Sequence, residues 1–245
     1  MNAVQIENLT LGYPSGTVAV SDLTLKVLQG EIFGMLGLNG AGKTSLIKAI
    51  ATLMRPHTGS VHVFGLDVRE HPAEIKRRIG VVPQENNLDN RLDVRQNLLF
   101  HCRYAGIPNR VAISRVADWL DLLDLRDKAR ESVLRLSGGS KRKVMLAKAF
   151  ITEPELLILD EPSAGLDPGI RDVLWAQVRE FRHGGGTVFL STHYLEEAEQ
   201  LCNRIGILHQ GKLASTLDIG GQDAVLVHDE RNVADHFRRV VGVTS

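Results

Sequence analysis

Cysteine is scarce in this chain: Cys102 and Cys202 are the only two, far apart and without a neighbouring Cys or His at metal-ligand spacing. That excludes a disulfide framework and a zinc site, and it points to a reducing compartment. Net charge is missing as well. Lys and Arg total 29 against 29 Asp and Glu, so no global field draws the chain to DNA, RNA or an anionic membrane surface, and no nucleic-acid partner is expected. No apolar run approaches the roughly 20 residues that span a bilayer. Residues 1–13 lack the basic start and apolar segment of a secretory signal. Any work at a membrane must then pass through a partner. Internal repeats and low-complexity tracts are also missing, which leaves one unit per chain.

What is present is an ordered series of strands and helices. Residues 4–11 and 18–27 alternate apolar and polar, the period of half-buried strands, with Pro14, Ser15 and Gly16 as a turn between them. An antiparallel β layer is expected at the start. Residues 31–36 form a mostly apolar strand feeding a glycine-rich loop, and residues 44–53 have helical spacing through Leu46, Ile47, Ile50 and Leu53. Residues 79–82, 156–159, 187–190 and 204–208 are short apolar runs, which suit parallel strands buried on both faces. Residues 92–150 carry no strand signal, while Val111, Val116, Trp119, Leu120 and Leu123 repeat at helical spacing. The fold class is therefore α/β, a mixed or parallel core sheet with an N-terminal antiparallel β layer and an inserted α-helical lobe at residues 88–150. The main domain is placed at residues 1–216. The tail, residues 217–245, reads as a short strand at 224–227 and a helix near 234–241.

Gly37, Leu38, Asn39, Gly40, Ala41, Gly42, Lys43 and Thr44 match the Walker A pattern where a strand gives way to a helix. Glycines let successive N–H groups turn inward around phosphate oxygens, and the helix N-terminus adds partial positive charge there. Lys43 is expected to reach the β- and γ-phosphates and the Thr44 hydroxyl to hold Mg²⁺, with Ser45 beside them among the nucleotide-binding residues. Alone, this loop fits GTPases, kinases and many ATPases.

The strand at 156–159 delivers Asp160 and Glu161 at its C-terminal end, where ligands bind in open α/β sheets. Asp160 is expected to hold magnesium and Glu161 to polarise the attacking water, since metal holding and water activation need separate groups. Gln84 follows the strand at 79–82 and Pro83, so its amide could touch Mg²⁺ or the water. His193 ends the strand at 187–191 and could donate to the γ-phosphate.

Leu136, Ser137, Gly138, Gly139 and Ser140 open a segment with helical spacing at Val144, Leu146, Ala147 and Phe150. Ser137 is a capping residue, and the two glycines expose N–H groups at a helix start, which makes a second phosphate-binding device. Lys43 and its loop already cradle a triphosphate from one side, so this device is expected to face another chain's nucleotide. The run Lys141, Arg142, Lys143 could attract phosphate, but it reads first as a solvated helix face.

With these residues in order, the chain resembles the ATP-binding cassette (ABC) family. Tyr13, residues 37–44, Gln84, residues 136–140, Asp160 with Glu161, residues 163–167 and His193 match the family's adenine-stacking aromatic, Walker A, Q-loop, signature, Walker B with catalytic glutamate, D-loop and switch histidine. The resemblance covers residues 6–213. It implies a P-loop ATPase whose two copies sandwich two ATP molecules, with Tyr13 on adenine, the backbone of Ser137, Gly138 and Gly139 on phosphate, and Glu161, His193, Lys43 and Gln84 in catalysis. Ser140 departs from the family pattern, where Gln is usual. Because Ser137 and the two glycines make the phosphate contact, hydrolysis is expected to survive.

Within the family, residues 37–44, 161–168 and 193–199 look most like the ATPase subunits of ABC-2-type exporters. That resemblance implies a separate transmembrane permease as partner, a second ATPase chain, and a place on the cytoplasmic face of the membrane. A soluble ABC ATPase acting on ribosomes or DNA is the alternative, although such proteins usually join two cassettes or carry long inserts. A nucleotide-binding module that never turns over would not need Glu161.

Overall fold

The structure is a computed structural model and describes residues 1–220 and 233–242. Strands β1 (Asn2–Gly12) and β2 (Val18–Leu28) pair antiparallel. Two strands not anticipated from the sequence, β4 (Thr58–Val63) and the two-residue β5 (Leu66–Asp67), extend this layer in the order β2-β1-β4-β5. The second sheet has the order β10-β9-β3-β8-β7-β6. It comprises β3 (Ile32–Leu36), β6 (Ile79–Val82), β7 (Leu156–Asp160), β8 (Thr187–Thr192), β9 (Arg204–His209) and β10 (Lys212–Asp218). The first five run parallel, and β10 returns antiparallel on β9. Every residue of β3, β7 and β8 is buried, as a sheet covered on both faces requires.

Side-chain alternation then sorts these strands between two cores. Phe33, Met35, Leu156 and Ile158 point into one core, which helix α1 (Lys43–Ile50) and the antiparallel layer fill with Leu46, Ile50, Ile6 and Val63. Ile32, Leu36, Leu157 and Leu159 point the other way, onto the helical lobe. Helix α1 ends at Ile50, three residues short of its sequence limit, because Leu53 lies on the surface and contributes no apolar face.

The lobe consists of α3 (Val94–Tyr104), α4 (Asn109–Leu122) and α5 (Gly138–Phe150), joined through two 3₁₀ turns. A short helix, α2 (Pro72–Arg78), precedes β6. Asp93 starts α3 in a capping box, its carboxylate accepting from the Gln96 N–H while the Gln96 side chain accepts from the Asp93 N–H. Helix α6 (Pro168–His183) follows β7, and α7 (Leu195–Leu201) follows β8. Strand β10 runs past residue 216, where the sequence placed the domain boundary, and α8 (Val233–Val241) packs on α7 and β9. The strand expected at 224–227 lies outside the described residues. Among the described residues no helix is long and apolar enough to cross a membrane.

Candidate functional site

Sheet register brings the predicted residues together. Leu36 pairs with Thr192, Asp160 with Ser191, and Leu159 with Val82. The continuations of four neighbouring strands therefore leave the sheet side by side at its carboxyl edge: the Gly37 loop, His193, Glu161 and Gln84. This is the edge at which open α/β sheets bind ligands.

The Gly37 loop holds its shape because two of its three glycines take a left-handed backbone. Gly40 and Gly42 have φ of 80° and 107°. A Cβ on Gly42 would also sit 2.3 Å from the Ala19 carbonyl oxygen, so only glycine fits. Lys43 is 5% exposed, and its ammonium donates to the carbonyls of Gly37 (2.7 Å) and Leu38 (3.1 Å). Burial lowers its pKa from the usual lysine range, and the nearby Glu161 and Asp160 oppose that shift. Gly40, Gly42 and Lys43, together with Tyr13, Thr44, Gln84 and Glu161, line a cleft of about 320 Å³.

Glu161 lines the same cleft. Its Oε1 lies 3.5 Å from Lys43 Nζ and 3.2 Å from His193 Nδ1, the latter without hydrogen-bond alignment, and its Oε2 is 3.5 Å from Gln84 Nε2. Its backbone is left-handed, with φ of 48°, an uncommon conformation for a residue with a side chain. The Glu161 N–H donates to the Ser191 carbonyl at 3.0 Å. Asp160 is fully buried: one carboxylate oxygen accepts from the Ser191 hydroxyl, and the other has no hydrogen-bond partner. An orphaned buried carboxylate oxygen on the residue before Glu161, close enough to act on Lys43, suits a hard divalent cation with oxygen ligands.

Tyr13 and Ser45 are engaged with each other, their hydroxyls 2.8 Å apart, and the Tyr13 ring stays partly exposed on the rim of the cleft. This bond was not foreseen, because the two residues stand 32 positions apart.

The helix start that the sequence placed at Ser137 is present. Ser137 is the N-cap of α5, accepting from the Ser140 N–H at 3.2 Å. Ser137 and Gly138 are exposed, and a Cβ on Gly138 would meet nothing within 4 Å. Among the described residues the Lys43 cleft takes none of its lining from residues 137–139. Gly138 and Gly139 instead line an adjoining hollow of about 260 Å³, which meets the cleft at Gln84 and Glu161. Ser140 faces inward, bonded through its hydroxyl to Lys128 Nζ and Ser137 Oγ, both at 3.1 Å. Its departure from the family pattern is thus met by local partners. Another cavity, of about 730 Å³, lies among Trp119, Phe150 and Phe181 and shares no residue with either phosphate device.

The basic run after the signature needs correction. Arg142 is buried, 7% exposed, and not on a solvated face. Its guanidinium donates to four backbone carbonyls: Pro83 (2.6 Å), Asp160 (2.7 Å), Glu161 (2.6 Å) and Pro162 (3.1 Å). Burial lowers its pKa, opposed by Asp160, Glu197 and Glu161, yet a guanidinium remains charged. Spacing hinted at its burial alone, since Arg142 shares a helix face with the buried Met145, Leu146 and Ala149, and gave no sign of the four carbonyls.

A second group missed from the sequence lies behind the D-loop. Trp175 Nε1 donates to Ser163 Oγ (3.3 Å) and to Glu197 Oε1 (3.4 Å), and Ser163 Oγ also bonds Glu197. Burial raises the Glu197 pKa. Asp167 caps α6 by accepting from the Ile170 N–H at 3.0 Å.

The family model described as "ABC transporter" matches residues 20–164. The Nod factor export ATP-binding protein I of Burkholderia orbicola is 40% identical over 242 residues, covering 93% of this chain and 80% of that protein. A solved structure described as the ATP binding subunit of an ABC transporter aligns with a TM-score of 0.83 at 31% identity, over 89% of this chain and 90% of the other. The cbiO1 protein of Clostridium perfringens, described as part of the ABC transporter complex cbiONQ, aligns with a TM-score of 0.76 at 25% identity, covering 89% of each chain.

Proposed function

The chain belongs to the ABC transporter family as an ATP-binding ATPase subunit, and from that premise we propose that it powers export through a separate membrane permease by closing in pairs around ATP. In this reading each nucleotide lies between the Gly37–Ser45 loop of one chain and residues 137–139 of a second copy. The observation that carries it is the exposed, unobstructed N-terminus of α5, built for phosphate yet outside the Lys43 cleft of its own chain.

The roles within the site follow from the contacts. Thr44, Gln84 and the orphaned oxygen of Asp160 would hold Mg²⁺, which supplies charge neutralisation at the phosphates when bound. Lys43, already desolvated, is ready to exchange its two carbonyl partners for phosphate oxygens. Glu161 polarises the attacking water, held in place by its left-handed backbone. His193 borders the same carboxylate and would donate to the terminal phosphate. Tyr13, on the rim of the cleft, would stack on adenine.

Export as the direction is supported by the Burkholderia relative's name, and a membrane partner by the complex to which the Clostridium neighbour is assigned. The chain would then sit on the cytoplasmic face of the membrane, held there by the permease. Co-purification tests this. An integral membrane protein as the stable companion is the expected result, and ribosomes or nucleic acid in its place would overturn the transport reading.

A further inference from the structure

We propose that Arg142 is the positioning residue that couples the two nucleotide sites of a dimer. The proposal rests on the two-chain reading above. One turn of α5 separates two functions. At its start, residues 137–139 present N–H groups to the partner's nucleotide. Five residues after Ser137, the Arg142 guanidinium grips four carbonyls of its own chain's site.

Those carbonyls are not scattered. Pro83 precedes Gln84, Asp160 and Glu161 are the two carboxylate-bearing residues themselves, and Pro162 leads into the D-loop. A planar guanidinium with five N–H donors is the one side chain able to hold such a set at once, and its fork is rigid. Each contact is a charge-assisted bond made by a largely buried guanidinium.

Glu161 depends on this grip. Its left-handed backbone is fixed on one side by its N–H on the Ser191 carbonyl and on the other by its own carbonyl on Arg142. A shift of the α5 N-terminus, on meeting phosphate at the partner's site, must therefore move or release Gln84 and Glu161 in its own site. The coupling runs through a continuous chain of bonds: Ser137 capping α5, the helix body, and Arg142 on the carbonyls.

The test uses the full chain and measures ATP turnover against ATP concentration for the wild type, Arg142→Lys and Arg142→Met. Binding of a fluorescent ATP analogue without Mg²⁺ reports the Lys43 site alone. Lysine keeps the charge but loses the fork, and methionine loses every donor. The wild type is expected to hydrolyse ATP with a Hill coefficient of about two, falling towards about one in both variants. In Arg142→Lys kcat falls about tenfold while analogue affinity stays within about twofold. A structural staple would not separate those readouts. Should Arg142→Met fail to fold, Arg142→Lys decides the matter. Wild-type kcat and cooperativity in Arg142→Lys overturn the proposal while leaving the dimer intact. A non-cooperative wild type, together with a Glu161→Gln chain that stays monomeric in saturating ATP, overturns the two-chain reading and this proposal with it.

Discussion

Replacing Glu161 by Gln removes one negative charge from a site where Lys43 is nearly buried, and its effects differ in sign. The two charges lie 3.5 Å apart, which corresponds to about 5 kcal/mol at an effective dielectric constant near 20. Breaking a buried pair usually costs about 3–5 kcal/mol, because the remaining charge stays desolvated. Here the Gly37 and Leu38 carbonyls still hold the ammonium, so the nucleotide-free variant should lose about 2–3 kcal/mol. For a chain of this length that lowers Tm by about 5–10 °C. ATP should reverse the loss, since its phosphates take the place of the carboxylate beside Lys43. The variant should accordingly show a larger ATP-induced rise in Tm than the wild type, while turnover falls by about 10²–10⁴-fold with the loss of the general base. Thermal melts with and without ATP, paired with a phosphate-release assay, measure all three quantities. Turnover within about twofold of the wild type would remove the general-base assignment. An unchanged melt would show that the Lys43–Glu161 pair contributes nothing.

Two further predictions concern the loop and the lobe. Gly42→Ala places a Cβ 2.3 Å from the Ala19 carbonyl at a φ of 107°, so ATP affinity measured by titration should fall at least about tenfold; near-native affinity would mean that the loop does not need this conformation. His101 has its pKa lowered to about 4, by burial first and Lys148 second. The unfolded chain therefore binds the extra proton between about pH 6.5 and 4 while the folded chain does not, and stability falls as pH drops through that window, by up to about 3 kcal/mol. Urea midpoints at pH 7 and pH 5 should show this fall in the wild type and a smaller one in His101→Gln; equal falls would place the sensitivity elsewhere.

The site was more legible in the sequence than the fold around it. Glycine spacing, paired carboxylates after an apolar strand, and a capping serine are local signals, and register carried the first two to one sheet edge. Leu36 beside Thr192 and Asp160 beside Ser191 did that work. The strand β4 escaped because Thr58, Gly59 and Ser60 break its alternation, and β5 because two residues carry no period. Arg142 escaped for a different reason. A basic residue between two lysines reads as solvent-facing, but α5 is wedged between the lobe and the sheet and is buried on almost every side. Buried multi-donor contacts such as Arg142 on four carbonyls, or Glu197 on Ser163 and Trp175, depend on tertiary neighbours that no local pattern encodes.

The composite site can be tested by mixing two disabled chains. Lys43→Ala removes the phosphate-loop cation, and Gly138→Asp sets a negative charge where the structure leaves open space at the α5 N-terminus. Each variant alone should be inactive. Mixed in equal amounts, half the dimers pair one of each, and one of the two sites in such a dimer is whole, so activity should recover to at most about a quarter of the wild type. A mixture as inactive as its separate components would contradict the claim that the nucleotide is enclosed by two different chains.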